Sequence, residues 1–209
     1  MNSVDVHKQF LIEWSVAARP IAGQTVSGDL HLVKPLEHGV LLAAVDGVGH
    51  GDEATFAAHS AVGILEKYSH ESVVSLVERC HGALIKTRGV VMTVALLHAL
   101  ENTITWLGVG NVEGRLLRAD PTAGHRAESV LLRGGLVGLQ LPALHASVIP
   151  VAPGDLLILA TDGVYPGFDA GINLNSTTRQ IADRILNLRF KGTDDALVLV
   201  ARYLGMAHE

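Results

Sequence analysis

Four short acidic segments hold the residues of this chain best suited to chemistry: Ser27-Gly28-Asp29, Val45-Asp46-Gly47, Thr161-Asp162-Gly163 and Thr193-Asp194-Asp195. The runs Val40 to Val45, Leu156 to Ala160 and Ala196 to Val200 adjoin the last three and are apolar throughout. A carboxylate at the end of a buried strand has lost part of its water, and several gathered there raise one another's pKa. Hard divalent cations remove that conflict, and an oxygen-only donor set suits Mg²⁺ or Mn²⁺. The chemistry this predicts is hydrolysis at a two-metal site. Taken singly, an Asp-Gly pair reads as a turn. Repetition of the pattern, with no Lys or Arg beside any of the acids, favours the metal reading.

Elements that could position these acids follow from periodicity. Phe10 to Ala17 alternates as a first strand. Leu30 to Leu36 and Val40 to Val45 form a hairpin over Glu37-His38-Gly39. Asp29 opens that hairpin and Asp46 closes it, so antiparallel pairing sets both carboxylates at one end of a sheet. Asp52 to Tyr68 and Glu71 to Thr87 carry helical spacing, with acids in the first turn of the former. Val90 to Leu100 and Thr103 to Val109 form a second hairpin over Glu101-Asn102. Strands are expected at Arg115 to Arg118, Ser129 to Leu132, Ala146 to Ile149, Asp155 to Ala160 and Ala196 to Tyr203, and a third helix at Thr177 to Leu188. Strands that follow strands over short turns give antiparallel sheets. The economical layering is α+β, two facing sheets with helices outside.

With 209 residues, 48% of them hydrophobic, and no linker-like stretch, the expectation is a single domain over residues 1–209. A net charge of −5 with no basic cluster argues against nucleic acid. No apolar run reaches membrane-spanning length, and no signal peptide is visible. The lone cysteine, Cys80, excludes an internal disulfide, fits a cytoplasmic setting and sits where a buried helical residue belongs. Trp14 and Trp106 read as core aromatics. The histidines show no zinc spacing, and His31, His38, His59, His81, His98 and His145 read as surface or satisfied core residues. Gly47-x-Gly49-x-Gly51 has the wrong spacing for a dinucleotide turn, and no P-loop lysine follows it.

In order along the chain, Ser27-Gly28-Asp29, Val45-Asp46-Gly47-Val48-Gly49-His50-Gly51, Val91-Met92-Thr93-Val94-Ala95, Gly108-Val109-Gly110-Asn111, Ala160-Thr161-Asp162-Gly163 and Gly192-Thr193-Asp194-Asp195 make a recognisable series. The chain resembles the PPM family of metal-dependent Ser/Thr protein phosphatases in its compact bacterial SpoIIE-like form. Its short length, Arg88-Gly89 and Gly110-Asn111 are similar to the stressosome feedback phosphatases of that family. The resemblance implies an αββα sandwich of two mainly antiparallel sheets (the PPM phosphatase fold) and a centre of two Mn²⁺ or Mg²⁺ ions. Carried over by position, Asp46 would bridge the ions and Gly47 would offer its carbonyl. Asp162, Asp194 and Asp29 would complete the set, with Asp195 behind Asp194. Water activated by the metals would attack phosphorus with no protein nucleophile. The implied substrates are phosphorylated STAS-domain proteins of a stressosome, and the implied role is resetting a stress response.

The chain departs from the larger family members in three places. Gly28-Asp29 stands where they have an acidic pair. Arg19, the arginine nearest upstream of Asp29, lies ten residues before it, too far for their phosphate-binding arginine. Val48 replaces the histidine that follows their Asp-Gly; His50, two positions on, is the candidate proton donor. Gly108 to Asn111 is expected to play a structural part. Two rivals remain at this point: an inactive phosphatase fold serving as a binding module, and a phosphatase of small metabolites.

Overall fold

The computed structural model describes residues 11–49, 51–120 and 127–205. In chain order the elements are β1 (Ile12–Arg19), β2 (Asp29–Leu36), β3 (Gly39–Gly47), α1 (Asp52–Lys67), α2 (Val73–Leu84), β4 (Val90–His98), β5 (Thr103–Val109), β6 (Glu113–Leu117), β7 (Ala127–Ser129), β8 (Leu132–Arg133), β9 (Ser147–Pro150), β10 (Leu156–Ala160), α3 (Thr178–Arg189) and β11 (Ala196–Tyr203). One sheet runs β1-β11-β10-β6-β7. The other runs β2-β3-β4-β5-β8, with β9 added on β5. Every pairing is antiparallel except the short β5–β8 contact.

Three apolar layers follow from the strand alternation. Helices α1 and α2 cover the second sheet through Leu41, Ala57, Ala61, Leu65, Leu76 and Cys80. The two sheets face each other across Leu42, Ala95, Trp106, Leu116, Leu159 and Leu199. Helix α3 seals the outer face of the first sheet with Ile181, Ala182 and Ile185 against Ile158 and Val198. Strands β3, β10 and β11 meet apolar neighbours on both faces, which is why their sequences are continuous rather than alternating. The result is the αββα sandwich expected from the sequence.

Several boundaries move. Helix α2 starts later than the sequence suggested because the Ser72 side chain accepts the Ser75 amide and caps it there. Helix α3 begins where Thr177 and Gln180 form a reciprocal capping box. The segment expected as one strand at Ser129 to Leu132 divides: β7 joins one sheet and β8 the other, with Val130 buried between. The first strand begins at Ile12; Phe10 lies outside the described residues. Trp14 is not core. It is 44% exposed, its ring 5.9 Å from that of His31, at the open edges β1 and β2. Trp106 and Cys80 are buried as expected, and burial pushes the Cys80 thiol up to about 12, which leaves it unreactive.

At the end of the sandwich opposite Asp162, buried Asp155 accepts bonds from the Ala119 amide at 2.9 Å, the Ala152 amide at 3.0 Å and Arg118 at 2.9 Å. Asp155→Ala strands those donors in a buried setting and should cost about 2 kcal/mol of stability. The check is a lower urea midpoint with turnover unchanged well below the transition.

Candidate metal centre

Strand register brings the acids together. Asp29 opens β2 and lies directly opposite Asp46 near the end of β3. In the facing sheet, β10 runs out into Thr161-Asp162, and Asp194-Asp195 lead into its neighbour β11. All four segments therefore reach one end of the sandwich.

Hydrogen bonds stitch that end across the two sheets. The Thr161 hydroxyl donates to Asp29 Oδ2 at 2.7 Å and accepts the Leu197 amide at 2.8 Å. The buried Asp195 carboxylate accepts the Gly28 amide at 2.6 Å and the Ile21 amide at 2.7 Å. Both Asp195 oxygens are thus engaged in holding the loop before β2 against β11. Asp194 is half-buried and its Oδ1 accepts the Asp195 amide at 2.9 Å.

The glycines beside the acids serve close approach. Asp46-Gly47 lies within β3 and is not a turn. Asp162-Gly163 does occupy a turn, closed by the Val164 amide on the Thr161 carbonyl at 3.1 Å. Neither Gly47 nor Gly163 has a positive φ. A Cβ on Gly47 would stand 2.1 Å from the Ala54 carbonyl oxygen, and one on Gly163 would stand 1.9 Å from the Asp195 carbonyl oxygen. Only a missing side chain lets α1 reach β3 and the β10 turn reach β11.

Electrostatics bear the mark of crowded acid. Burial, then repulsion from Asp29, Asp162, Asp194 and Asp195, pushes the Asp46 carboxyl up to about 9. Burial pushes Asp29 up to about 7, with the Thr161 hydroxyl acting in the opposite sense and the other acids adding repulsion. No hydrogen bond reaches the Asp46 carboxylate from any described residue. Among the described residues, no three His, Cys, Asp or Glu side chains close on one point as a preformed cage. Instead Asp29 is held by Thr161, Asp194 by its neighbour's amide, and Asp162 by the Asn111 side-chain amide at 2.7 Å. In chemistry, an acidic donor set made only of oxygens suits hard cations.

Three contributors were not legible in the sequence. Thr161 is fixed to Asp29 across the sheets. Asn111, expected to be merely structural, contacts Asp162 directly. The Lys191 ammonium donates to the Asp162 carbonyl and stands 5.7 Å over the Tyr165 ring. Gly110-Asn111 was visible as a motif, but its pairing with Asp162 spans distant sequence. Arg19 is exposed and directed elsewhere, to Asn187 Oδ1 at 3.0 Å and over the Phe190 ring at 5.0 Å. His50 lies outside the described residues.

Two facing antiparallel sheets between helices, with acids from both sheets converging at one end, define the PPM phosphatase fold. The chain belongs to the SpoIIE family of PPM phosphatases: the family model described as Stage II sporulation protein E (SpoIIE) matches residues 37–204. It is similar to phosphoserine phosphatase RsbX of Bacillus subtilis (strain 168), 24% identical over 182 residues, covering 86% of this chain and 89% of that protein. A solved structure from work on the bacterial stressosome as a modular system controlling secondary messenger signalling superposes with a TM-score of 0.83 at 28% identity, covering 91% of this chain and 99% of that one. RsbX in complex with magnesium superposes with a TM-score of 0.82 at 21% identity, covering 92% and 95%. Among the described residues, no helix is long and apolar enough to cross a membrane.

Proposed function

We propose that this chain is a metal-dependent phosphoserine/phosphothreonine protein phosphatase acting on STAS-domain proteins of a stressosome. The observation that carries this reading is the direct opposition of Asp29 and Asp46, both with raised carboxyl pKa, at the end where Asp162 and Asp194 arrive. Asp46, Asp29, Asp162, Asp194 and the Gly47 carbonyl would hold two divalent ions, Mg²⁺ or Mn²⁺. Bound there, the ions supply Lewis acidity toward a phosphoryl group and lower the pKa of water. The protein's own part is placement. Thr161 orients Asp29, Asn111 orients Asp162, and Asp195 ties the Gly28 loop to β11. The similarity to RsbX, a phosphoserine phosphatase, and to a stressosome structure supports the choice of substrate.

The test is p-nitrophenyl phosphate hydrolysis in EDTA, Mg²⁺ and Mn²⁺, followed by a serine-phosphorylated STAS-domain protein. Turnover that needs metal supports the reading. Inactivity on both substrates with every metal transfers the fold to a binding role, and turnover of small phosphomonoesters alone makes it a metabolite phosphatase.

Thr161→Val removes the hydroxyl that orients Asp29 while keeping the side-chain shape. Groups that orient a ligand typically contribute about 10- to 100-fold in metal affinity. The expected outcome is a rise of that order in the Mn²⁺ concentration giving half-maximal activity, read by metal titration.

A further inference from the structure

Lys191 reaches the turn that carries Asp162 twice. Its amide donates to the Gly163 carbonyl at 2.9 Å, and its ammonium donates to the Asp162 carbonyl. With the Val164 amide on the Thr161 carbonyl at 3.1 Å, three successive carbonyls are held, two of them by this one residue. Among the described residues, no backbone amide reaches the Asp162 carbonyl, which leaves the ammonium as its donor. The segment bearing Lys191 is itself fixed. The Tyr165 amide donates to the Arg189 carbonyl at 2.8 Å, and Val164 bridges Phe190 in antiparallel fashion. The half-buried Lys191 side chain stands over the exposed Tyr165 ring, a cation–π contact that restricts its freedom. The turn also rests on the Asp195 backbone, where Gly163 leaves no room for a Cβ. Both holds come from the connection between α3 and β11, which carries Asp194 as well.

We infer, on the metal-centre reading above, that Lys191 is a positioning residue: its ammonium sets the main chain of Asp162 relative to Asp194. Asn111 holds the Asp162 carboxylate, and Lys191 holds the backbone beneath it. The need for such a strap follows from charge. Asp162 and Asp46 repel each other, so without ions the turn bearing Asp162 is pushed away from the other acids. A charged donor bonds a carbonyl more strongly than an amide does, and it resists that displacement. Ions then meet a ligand already in place, and the cost of gathering it does not subtract from their affinity.

The experiment measures Mn²⁺ binding by calorimetry for the unaltered protein and four variants, each first melted in chelator to verify folding. Lys191→Met keeps the length of the side chain and loses its donors, whereas Lys191→Arg keeps charge and donors. Tyr165→Leu removes the ring beneath the ammonium and leaves the lysine in place. Arg184→Met is the control: it removes a comparable charged bond, that of Arg184 to the Gly171 carbonyl at 2.6 Å. Lys191→Met should bind Mn²⁺ about tenfold more weakly. Lys191→Arg should stay near the unaltered protein, Tyr165→Leu should show a smaller loss, and Arg184→Met should show none. Turnover of p-nitrophenyl phosphate by Lys191→Met should return at saturating Mn²⁺. Unchanged binding in both Lys191→Met and Tyr165→Leu overturns the positioning role, as does an equal loss in Arg184→Met. A turnover deficit that persists at saturating Mn²⁺ with binding intact also overturns it and makes Lys191 a substrate contact. If the unaltered protein binds no ion, the metal centre itself fails, and the role of Lys191 with it.

Discussion

Asp46→Asn is expected to abolish metal-dependent turnover and, in the absence of metal, to make the protein more stable. The first effect follows from position. Asp46 faces Asp29 across the hairpin, and burial, with repulsion from the other acids added, pushes its carboxyl well above the ordinary range. Metal ions contribute several kcal/mol of charge stabilisation, so losing a carboxylate proposed to hold them should reduce kcat by about a thousandfold. The second effect follows from linkage. Folding raises the Asp46 carboxyl from its ordinary 3.8 to about 9. Between those values the native state holds a proton that the unfolded chain releases, so stability of the metal-free protein falls as pH rises through that window. Asparagine cannot ionise and escapes the loss. At pH 8 in chelator the variant should therefore melt at a higher temperature than the unaltered protein, and the difference should shrink as pH falls towards 4. A variant that keeps full activity, or one that melts with the unaltered protein in chelator, contradicts the assignment of Asp46.

Gly163→Ala should be among the most damaging single-methyl additions in the chain. Its Cβ would meet the Asp195 carbonyl oxygen at 1.9 Å, with the Asp195 carbonyl carbon at 2.7 Å. Both contacts are backbone, so no rotamer change relieves them, and the turn carrying Asp162 must move away from β11. Overpacking against a fixed wall at this distance should cost about 4 kcal/mol, at the exceptional end for one substitution. The displacement also separates Asp162 from Asp194. Gly134→Ala is the comparison, since a Cβ there meets nothing within 4 Å. Thermal melts should show a large drop for the first and little for the second, and metal-dependent turnover should follow the same order.

The linear pattern carried most of the fold. Strand-like patterning placed β5, and an apolar run placed β11, at the boundaries the structure shows, and the hairpin inference put Asp29 and Asp46 at one end, where register sets them face to face. Capping is local chemistry, yet Ser72 still shortened α2, because a serine in a polar stretch competes with several equivalent starts. Trp14 was misjudged because hydrophobicity does not reveal that β1 and β2 are open sheet edges. The split of β7 from β8 was equally hidden, since each half is recruited by a partner distant in sequence.

At the candidate metal centre the same division holds. Residue type and neighbours along the chain single out the candidate acids, because carboxylates beside apolar strand ends are costly to bury. The sequence also supplied the glycines: the turn reading holds at Gly163, but Gly47 lies within β3, and both permit backbone contact. Packing of the two sheets is what engages Asp195 with the Gly28 and Ile21 amides, sets Thr161 on Asp29 and Asn111 on Asp162, and turns Arg19 away. The reason is physical: burial and charge are properties of a residue and its neighbours along the chain, whereas a hydrogen-bond partner across two sheets exists only once the sheets have packed.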